Sequence, residues 1–385
     1  MNQRTRGLVL LFSAPILAYV VLGGYLGRTF AQEDSYRPLQ IFEDVVSLIL
    51  TSYVEEVEVD RIMAGALRGL SRGLDADSAY LTRSEVTVFE TNDPVPKGRT
   101  GITLTRQYYL RVLSARDGSA AATAGLRPGD YIRSINGEST RDMSILEGAR
   151  LLRGAVDSTV TLTVIRSNAT EPQEIVLKRT QLTTSTVTSR LVASGIGFLR
   201  VAAFHEGVAD DITSEVNSLR AAGAGQLVSD LRGTADGNYA NGVEAARLFV
   251  GSGTLAVRQR RGEPQHTTVA EAGDGSITLP TVILIGAATS GAAELFASAL
   301  AANARAELVG EPTFGRVAEQ RLIKLPDGSG LWLYWAQYLT ATGERLHQQG
   351  LEPGIAIATP VVELGAEPPE SDPVLEKAIE RLAAA

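Results

Sequence analysis

The stretch from residue 281 to residue 320 constrains the fold of this chain more than any other. It opens with TVILIG, an unbroken apolar run rich in β-branched residues, which is typical of a strand buried on both faces. Apolar residues then recur at helical spacing and predict a helix with one buried stripe: Ala292, Leu295, Phe296, Ala299 and Leu300. A second strand, AELVG, and the turn EPTFG follow. A strand, a sharp turn and a helix N-terminus aim backbone N–H groups at one point, where an acyl-transfer enzyme would place its nucleophile and oxyanion hole.

This stretch resembles the carboxyl-terminal processing (tail-specific) proteases, a family of serine peptidases. In that family the helix opens with a Ser-Ala-Ser-Glu-like run, and the next turn reads Thr-Phe-Gly-Lys-Gly-x-x-Gln. The Ser three residues before the Glu is the nucleophile, and the Lys is its general base. Aligning Glu294 and the TFG of 313–315 places Gly291 at the nucleophile position and Arg316 at the base position. Gln320 is retained, but we expect the catalytic dyad to be missing.

The two replacements remove the chemistry that the dyad needs. Glycine has no side chain to attack with, and an arginine stays protonated and cannot accept the proton of an alcohol. Ser290, one residue earlier, is the only nearby candidate nucleophile, and it would need an unconventional base. His205 and His347 stay open for that role. The sequence favours Ser290 as the N-cap of the helix over Ser290 as a nucleophile.

Arg316 itself has two open interpretations. It can be a solvated or ion-paired arginine whose partner is Glu294 or Glu319. Alternatively, Gly291 opens space at a helix N-terminus and Arg316 supplies a planar pair of donors, so the old active site could bind a carboxylate.

A second stretch, DLRGTADGNYANGVEAARLF at 230–249, resembles the family's Asp-Leu-Arg-Asn-Asn-Pro-Gly-Gly turn, whose glycine amides help to form the oxyanion hole. The matching residues are Asp230, Leu231, Arg232 and Gly237. Asp236 stands where the first of the two glycines belongs. A carboxylate there would raise the energy of a developing oxyanion, so this oxyanion region also departs from a working enzyme.

Residues 99–166 resemble a PDZ domain. The matching segments are GITL (101–104), GSAAATAG (118–125), LRPGD (126–130), YIRSING (131–137) and RGAVDSTVTLTVIR (153–166). PDZ domains bind a peptide C-terminus as an added strand and hold its carboxylate on backbone N–H groups. The resemblance assigns peptide binding to Gly101, Ile102, Thr103 and Leu104, with Arg99 close enough to help. A PDZ domain that packs on the core and binds nothing stays an alternative.

Two further segments flank these motifs. LDADSAYL at 74–81 resembles the family's Leu-Asp-Pro-His-Ser-x-Tyr-Leu run, but a polar turn that caps a helix explains it equally well, so we assign it no chemistry. Residues 195–231 alternate strand and helix patterns, which predicts right-handed βαβ units and a parallel core sheet.

The predicted fold is a mixed α/β multidomain chain. The resemblance implies N-terminal helices, a PDZ domain and a ClpP/crotonase-like βαβ protease core. We place the parts as follows: a signal peptide or membrane anchor at 1–32, a helical segment at 33–92, the PDZ domain at 93–168, the protease core at 169–363 and a C-terminal helix at 364–385.

Residues 7–27 are uncharged and mostly apolar, with Arg4 and Arg6 before them and Arg28 after them. At about 1.5 Å per residue such a run can just cross a bilayer. Residues 29–31 make a poor signal-cleavage site, so we favour an anchor over a cleaved signal. We therefore expect the rest to be exported to the periplasmic side of a bacterial inner membrane.

Composition excludes several functions. The net charge is −8 and no basic cluster stands out, which argues against nucleic-acid binding. The chain has no cysteine, and its three histidines are isolated in sequence, so we predict no metal and no cofactor.

The function expected from the sequence is binding of protein C-terminal tails or unfolded polypeptides without cleavage, with an active envelope protease as a possible partner. Two alternatives stay open: an active serine-type endopeptidase that uses Ser290, and a scaffold in which only the PDZ domain matters.

Overall fold

The computed structural model describes residues 37–91, 95–166, 169, 171–182, 186–359 and 371–384. The chain divides into two compact units, Met1–Leu70 and Ser71–Ala385. The segment 7–27, our predicted membrane anchor, lies outside the described residues. Within the ranges that the structure does describe, no helix has both the length and the apolar content that crossing a membrane requires.

The elements are numbered in chain order. The helices are α1 (37–52), α2 (Val59–Arg72), α3 (Arg83–Glu90), α4 (Ala120–Thr123), α5 (Ile145–Leu152), α6 (Val208–Ala221), α7 (Tyr239–Arg247), α8 (Ala292–Ala302) and α9 (Pro373–Ala383). The strands are β1 (Ala79–Leu81), β2 (Ile102–Gln107), β3 (Tyr109–Ala115), β4 (Tyr131–Ile135), β5 (Glu138–Ser139), β6 (Thr159–Ile165), β7 (Gln173–Lys178), β8 (Val187–Ala193), β9 (Ile196–Val201), β10 (Gln226–Asp230), β11 (Thr254–Arg260), β12 (His266–Val269), β13 (Thr281–Ile285), β14 (Ala306–Gly310), β15 (Ala318–Lys324), β16 (Gly330–Leu339) and β17 (Ile355–Ala356).

The core of the larger unit is a six-stranded sheet with the order β17-β14-β13-β10-β9-β8. Neighbouring strands from β17 to β9 run parallel, and β8 joins the edge antiparallel. All five residues of β13 are buried, as its continuous apolar run predicts. The predicted parallel core sheet is therefore confirmed.

Helices cover both faces of this sheet. On one face α6, α7 and α8 bury the larger cluster, which includes Phe204, Phe249 and Phe296. On the other face α9 packs its apolar stripe, Val374, Ala378 and Leu382, against the outward side chains of the parallel strands. Apolar side chains cover both faces of the sheet, so the functional groups lie at the ends of the strands rather than on their faces.

A second sheet joins β1, β16, β11 and β12 in that order, with β15 also pairing with β16. The β15–β16 pair is an antiparallel hairpin that follows the TFG turn. Strand β1 comes from the 74–81 segment and pairs with β16 through Ala79–Leu81. This pairing brings the LDADSAYL segment to the core.

The PDZ sheet has the order β2-β3-β4-β6-β7, and β5 pairs with β4. Inside it Arg166 forms a buried, two-pronged ion pair with Asp130, with contacts of 2.6 and 2.7 Å. The guanidinium of Arg179 binds the carbonyl oxygens of Leu151 and Leu152 at 2.8 and 3.2 Å, and so caps the end of α5. Strand β2 lies at one edge of the sheet.

Two of the predicted boundaries differ from the structure. The PDZ sheet runs to residue 178, because β7 pairs with β6, whereas we ended the domain at 168. The 33–92 segment is not helical throughout, because it contains strand β1, and its residues from Ser71 onward belong to the second unit. Short strands that add to a sheet formed elsewhere carry little periodicity of their own, which explains both differences.

Asp372 is expected to anchor α9. Its carboxylate accepts from the Leu375 N–H at 3.1 Å as the helix N-cap and receives both Nη atoms of Arg232 at 2.8 and 2.7 Å. Asp372→Ala should lower the free energy of unfolding by about 1–2 kcal/mol, measured by urea denaturation. Glu376→Ala, an exposed position on the same helix, is the control and should stay within about 0.5 kcal/mol of wild type. Equal losses in both variants would contradict this role.

Candidate functional site

The candidate site lies where three parallel strands of the core sheet end. The turns after β10, β13 and β14 meet there, as ligand sites do in open parallel sheets. Hydrogen bonds join the first two turns: the Ser290 N–H donates to the Thr234 carbonyl, and the Thr289 hydroxyl donates to the Leu231 carbonyl, both at 2.9 Å. The turn at 313–316 closes the site from the third side.

Gly291 stands at the N-cap of α8 with φ 66° and ψ −122°. A non-glycine residue holds this backbone only with strain, and strained strand-to-helix turns carry the nucleophile in α/β-hydrolases. A Cβ atom built on Gly291 would meet open space, and its nearest neighbour would be the Arg316 carbonyl oxygen at 4.0 Å. The structure therefore brings the two expected dyad positions together, with an empty volume where a serine side chain would project.

Glu294 holds the third turn against the helix. Its carboxylate is fully buried and accepts hydrogen bonds from the Thr313 hydroxyl, from the Gly315 and Arg316 N–H groups at 2.8 Å, and from the Gly291 N–H at 3.2 Å. Burial raises the pKa of Glu294, while these four donors oppose the shift. One carboxylate thus fixes both dyad positions through their backbones.

Hydrogen bonds hold both the backbone and the side chain of Arg316. Its carbonyl accepts from the Tyr239 hydroxyl at 3.2 Å. Its guanidinium donates to the Asp77 carboxylate and, at 3.1 Å, to the Leu104 carbonyl of β2. The Tyr334 hydroxyl donates to the same Asp77 oxygen. Burial alone would lower the pKa of Arg316, but the Asp77 charge and Tyr334 raise it, so the side chain is a permanent cation at any ordinary pH.

These contacts correct our expectation for the partner of Arg316. Neither Glu294 nor Glu319 pairs with its guanidinium; Glu319 binds Arg258 instead, with contacts of 2.5 and 2.8 Å. The anion beside Arg316 is Asp77 of the chain itself, so an incoming carboxylate would have to displace it. The structure therefore does not support the idea that Gly291 and Arg316 form a carboxylate site.

Asp77 is the site residue that sequence reasoning missed. It comes from the LDADSAYL segment, to which we assigned no chemistry. In that run Asp77 stands where the resembling family has His, just as Arg316 stands where the family has Lys. Reading the two replacements as a pair, a carboxylate opposite a permanent cation, would have placed Asp77 in the site.

Ser290 differs from its predicted role. The N-cap of α8 is Gly291, and Ser290 lies before the helix with 3% of its surface exposed. The Ser290 N–H donates to the Thr234 carbonyl, which holds the Ser290 backbone against the turn after β10. Within the described ranges no hydrogen bond joins its hydroxyl to a lysine or histidine. Lys97 is exposed, and the other lysines form surface ion pairs: Lys178 with Asp157, Lys324 with Glu90 and Lys377 with Glu380.

The two histidines that could have served Ser290 lie elsewhere in the site. His205 Nε2 lies 3.3 Å from Arg116 Nη1 and 3.5 Å from the Asp236 carboxylate. His347 is buried with its ring centroid 4.5 Å from that of Tyr334, and its Nδ1 has no hydrogen-bond partner in the described chain. Burial lowers the pKa of His347, although Asp75 and Asp77 oppose the shift.

The turn that ends at Gly237, where the resemblance places an oxyanion hole, keeps a backbone conformation that requires glycine. Gly237 has φ 140°, and a Cβ atom there would lie 2.7 Å from Phe204, so only glycine fits. The Phe204 N–H donates to the Asp236 carbonyl at 2.9 Å, and the Phe204 carbonyl accepts from the Asn238 N–H at 3.0 Å. Burial would raise the pKa of Asp236, but His205, Arg116 and Arg99 hold it below its usual range. A negative charge therefore sits beside this turn.

The PDZ domain contacts this site at three points. Arg116 lies 3.6 Å from Asp236, Asp117 binds Arg200 at 2.7 Å, and the Leu104 carbonyl accepts from Arg316. The predicted peptide-binding residues lie at the start of β2: Gly101 has φ 85° and packs tightly on Ser119, and Ile102, Thr103 and Leu104 follow in the strand. Arg99 is exposed just before them.

Gln320, the retained residue of the family motif, lies in β15 and donates to the Asp77 carbonyl at 3.4 Å. In the described residues no group of three or more His, Asp or Glu side chains could hold a metal ion.

Glu294→Gln should lower the free energy of unfolding by about 3 kcal/mol, because the amide nitrogen would face N–H donors and leave them unpaired. Urea denaturation measures the change. Glu307→Gln is the matched control: Glu307 pairs with Arg381 at 2.7 Å on the surface, and the loss there should stay below about 1 kcal/mol. A Glu294→Gln variant as stable as this control would contradict the role of the carboxylate.

His347 should make stability fall in mild acid. Its pKa is lower in the folded protein than the ordinary 6.5, so the unfolded chain binds more protons below that value. The free energy of unfolding should therefore decrease as the pH falls from about 7 to about 5.5. His347→Gln should flatten this slope, whereas the exposed His266→Gln should keep it. Identical slopes in wild type and His347→Gln would refute the assignment.

Comparison with known proteins agrees with this architecture. Residues 195–357 match Peptidase family S41, and residues 111–166 match a PDZ domain. The carboxy-terminal processing protease CtpA of Bacillus subtilis is 29% identical over 316 residues, which are 81% of this chain and 67% of that protein. The carboxyl-terminal-processing protease of Synechocystis is 31% identical over 257 residues, which are 66% of this chain and 60% of that protein.

Among solved structures, the photosystem II D1 C-terminal processing protease aligns with a TM-score of 0.67 at 23% identity, over 83% of this chain and 92% of that one. At this identity the likeness supports the fold alone. The sequence matches identify a peptidase family S41 region at residues 195–357 and a PDZ domain at residues 111–166 of this chain.

Proposed function

We propose that this protein binds the C-terminal tails of proteins or unfolded polypeptides and does not cleave them. The observation that carries the proposal is the pair at the dyad positions: Gly291 offers no nucleophile, and Arg316 is a cation held by Asp77. Loss of members of a catalytic unit typically costs about 10⁶-fold in rate. With both replaced, the mechanism of the family has neither an attacking group nor a base.

The electrostatics around the two positions support the same conclusion. Asp77 holds Arg316 as a cation, so Arg316 cannot take a proton from an alcohol near neutral pH. Asp236 adds a negative charge beside the turn that would have to stabilise an oxyanion. Cleavage would have to overcome three separate features: the missing nucleophile at Gly291, the missing base at Arg316 and the negative charge of Asp236.

Tail binding is supported by features that the chain retains. Strand β2 is at the edge of the PDZ sheet, preceded by Gly101 and the exposed Arg99. An edge strand with a glycine-led loop before it is the arrangement that accepts a peptide C-terminus as a further strand. Two of the relatives are named carboxy-terminal processing proteases, which is consistent with this ligand.

The cellular setting of the proposal rests on the N-terminal sequence. We include export and anchoring by residues 7–27, with the folded part on the periplasmic side of a bacterial inner membrane. An active envelope protease is a fitting partner there, because a protein that holds tails without cutting them can present them to one that cuts.

Binding is tested with fluorescent peptides that differ only in a free or an amidated C-terminus. We expect the free form to bind at least about tenfold more tightly, because the amide removes the charge that the loop recognises. Both peptides should be recovered at full length from wild type and from Ser290→Ala. Cleavage by the wild type that Ser290→Ala abolishes would establish the alternative, an active endopeptidase that uses Ser290. Absence of binding by any tail would contradict the proposal.

Restoring the dyad tests why the proposed site does not cleave peptides. Gly291→Ser with Arg316→Lys supplies both groups, but Asp77 beside the new lysine would raise its pKa and keep it protonated. We expect no tail cleavage by this double variant near pH 7 and cleavage once Asp77→Asn is added, measured by release of a fluorescent product. Equal rates for double and triple variants would show that Asp77 does not control the base position.

A further inference from the structure

A basic pocket separates the PDZ loop from the oxyanion turn. Its volume is about 240 Å³, and its walls carry Gly101 and three arginines, Arg99, Arg116 and Arg153, on the PDZ side. The opposite wall is the turn that carries Asp236. Asp236 is the only acidic residue in the lining, so positive charge is in excess.

The backbone fixes two of the arginines next to each other. Gly98 and Gly154 exchange backbone hydrogen bonds at 3.0 and 3.1 Å. A Cβ atom on Gly98 would lie 2.7 Å from the Gly154 carbonyl oxygen, so this close approach requires glycine. Arg99 follows the first glycine and Arg153 precedes the second. The pair of glycines therefore brings the backbones of Arg99 and Arg153 close together in the pocket lining.

Among the described residues that line the pocket, Asp236 is the one carboxylate available to balance the three arginines. Asp236 already faces Arg116 at 3.6 Å and His205 at 3.5 Å. In the described ranges Arg99 and Arg153 form no side-chain hydrogen bond or ion pair. Burial and the nearby Arg99 lower the pKa of Arg153, which reflects the cost of placing these cations together. An arrangement of this kind is stabilised when an anion enters.

We propose that this pocket binds the end of a tail that carries two negative charges, the terminal carboxylate and the side-chain carboxylate of an acidic last residue. The proposal rests on the tail-binding function above and specifies its substrate class. Two guanidinium groups, Arg99 and Arg153, are available for two carboxylates, and each offers a planar pair of donors that suits one carboxylate. An apolar tail would fill only half of this capacity.

The test uses peptides with the same apolar sequence and a free C-terminus that end in Asp or in Asn. We expect the Asp-ending peptide to bind wild type at least about tenfold more tightly by fluorescence anisotropy, with a preference that shrinks at high salt. Arg153→Gln and Arg99→Gln should each reduce the preference to about twofold or less. Arg150→Gln changes an exposed arginine of α5, three residues before Arg153 and outside the pocket, and should keep the preference.

The outcomes separate this inference from the function on which it rests. If both peptides bind equally, or if the preference survives in both pocket variants, the inference is wrong while tail binding stands. If neither peptide binds, tail binding itself fails. A thermal melt of each variant identifies a loss of fold, and the exposed position of Arg99 makes its variant the safer of the two.

Discussion

A single buried carboxylate organises the centre of this molecule. Glu294 receives donors from the start of α8 and from the turn that precedes β15, and so joins two segments that are 21 residues apart in sequence. A carboxylate that is this deeply buried is costly unless every acceptor is satisfied, and here four donors surround it. Gly291 and Arg316 are neighbours because Glu294 holds both backbones. The geometry of an active site is thus maintained by a residue that needs no reactivity.

Next to Glu294, Arg316 and Asp77 form a buried ion pair. A cation at 316 would be expensive in a buried site, and Asp77 supplies the compensating charge from β1's leading turn. Tyr334 completes the network by donating to Asp77, and the Leu104 carbonyl receives the remaining arginine contact. The same guanidinium therefore ties the protease core to the edge strand of the PDZ domain. In the function we propose, this ion pair stands where the family mechanism needs a neutral amine.

The sequence predicted the parts of this molecule that depend on continuous patterns. The apolar run of β13, the stripe on α8 and the order of the PDZ segments each have a local physical cause. The N-cap was predicted wrongly because Ser290 is a good capping residue by type, while the side chain of Glu294 already serves the helix start. The partner of Arg316 was missed because Asp77 lies 239 residues away, and a distant ion pair leaves no trace in local periodicity.

The central claim is that a peptidase framework here holds tails with no group able to form an acyl intermediate. Intact-mass spectrometry of the full chain, after incubation with an activated ester of a tail peptide, tests it most directly. The account predicts an unchanged protein mass for wild type and for Ser290→Ala alike. A stoichiometric acyl adduct on wild type, mapped to Ser290 or to any other hydroxyl of the site, would contradict it.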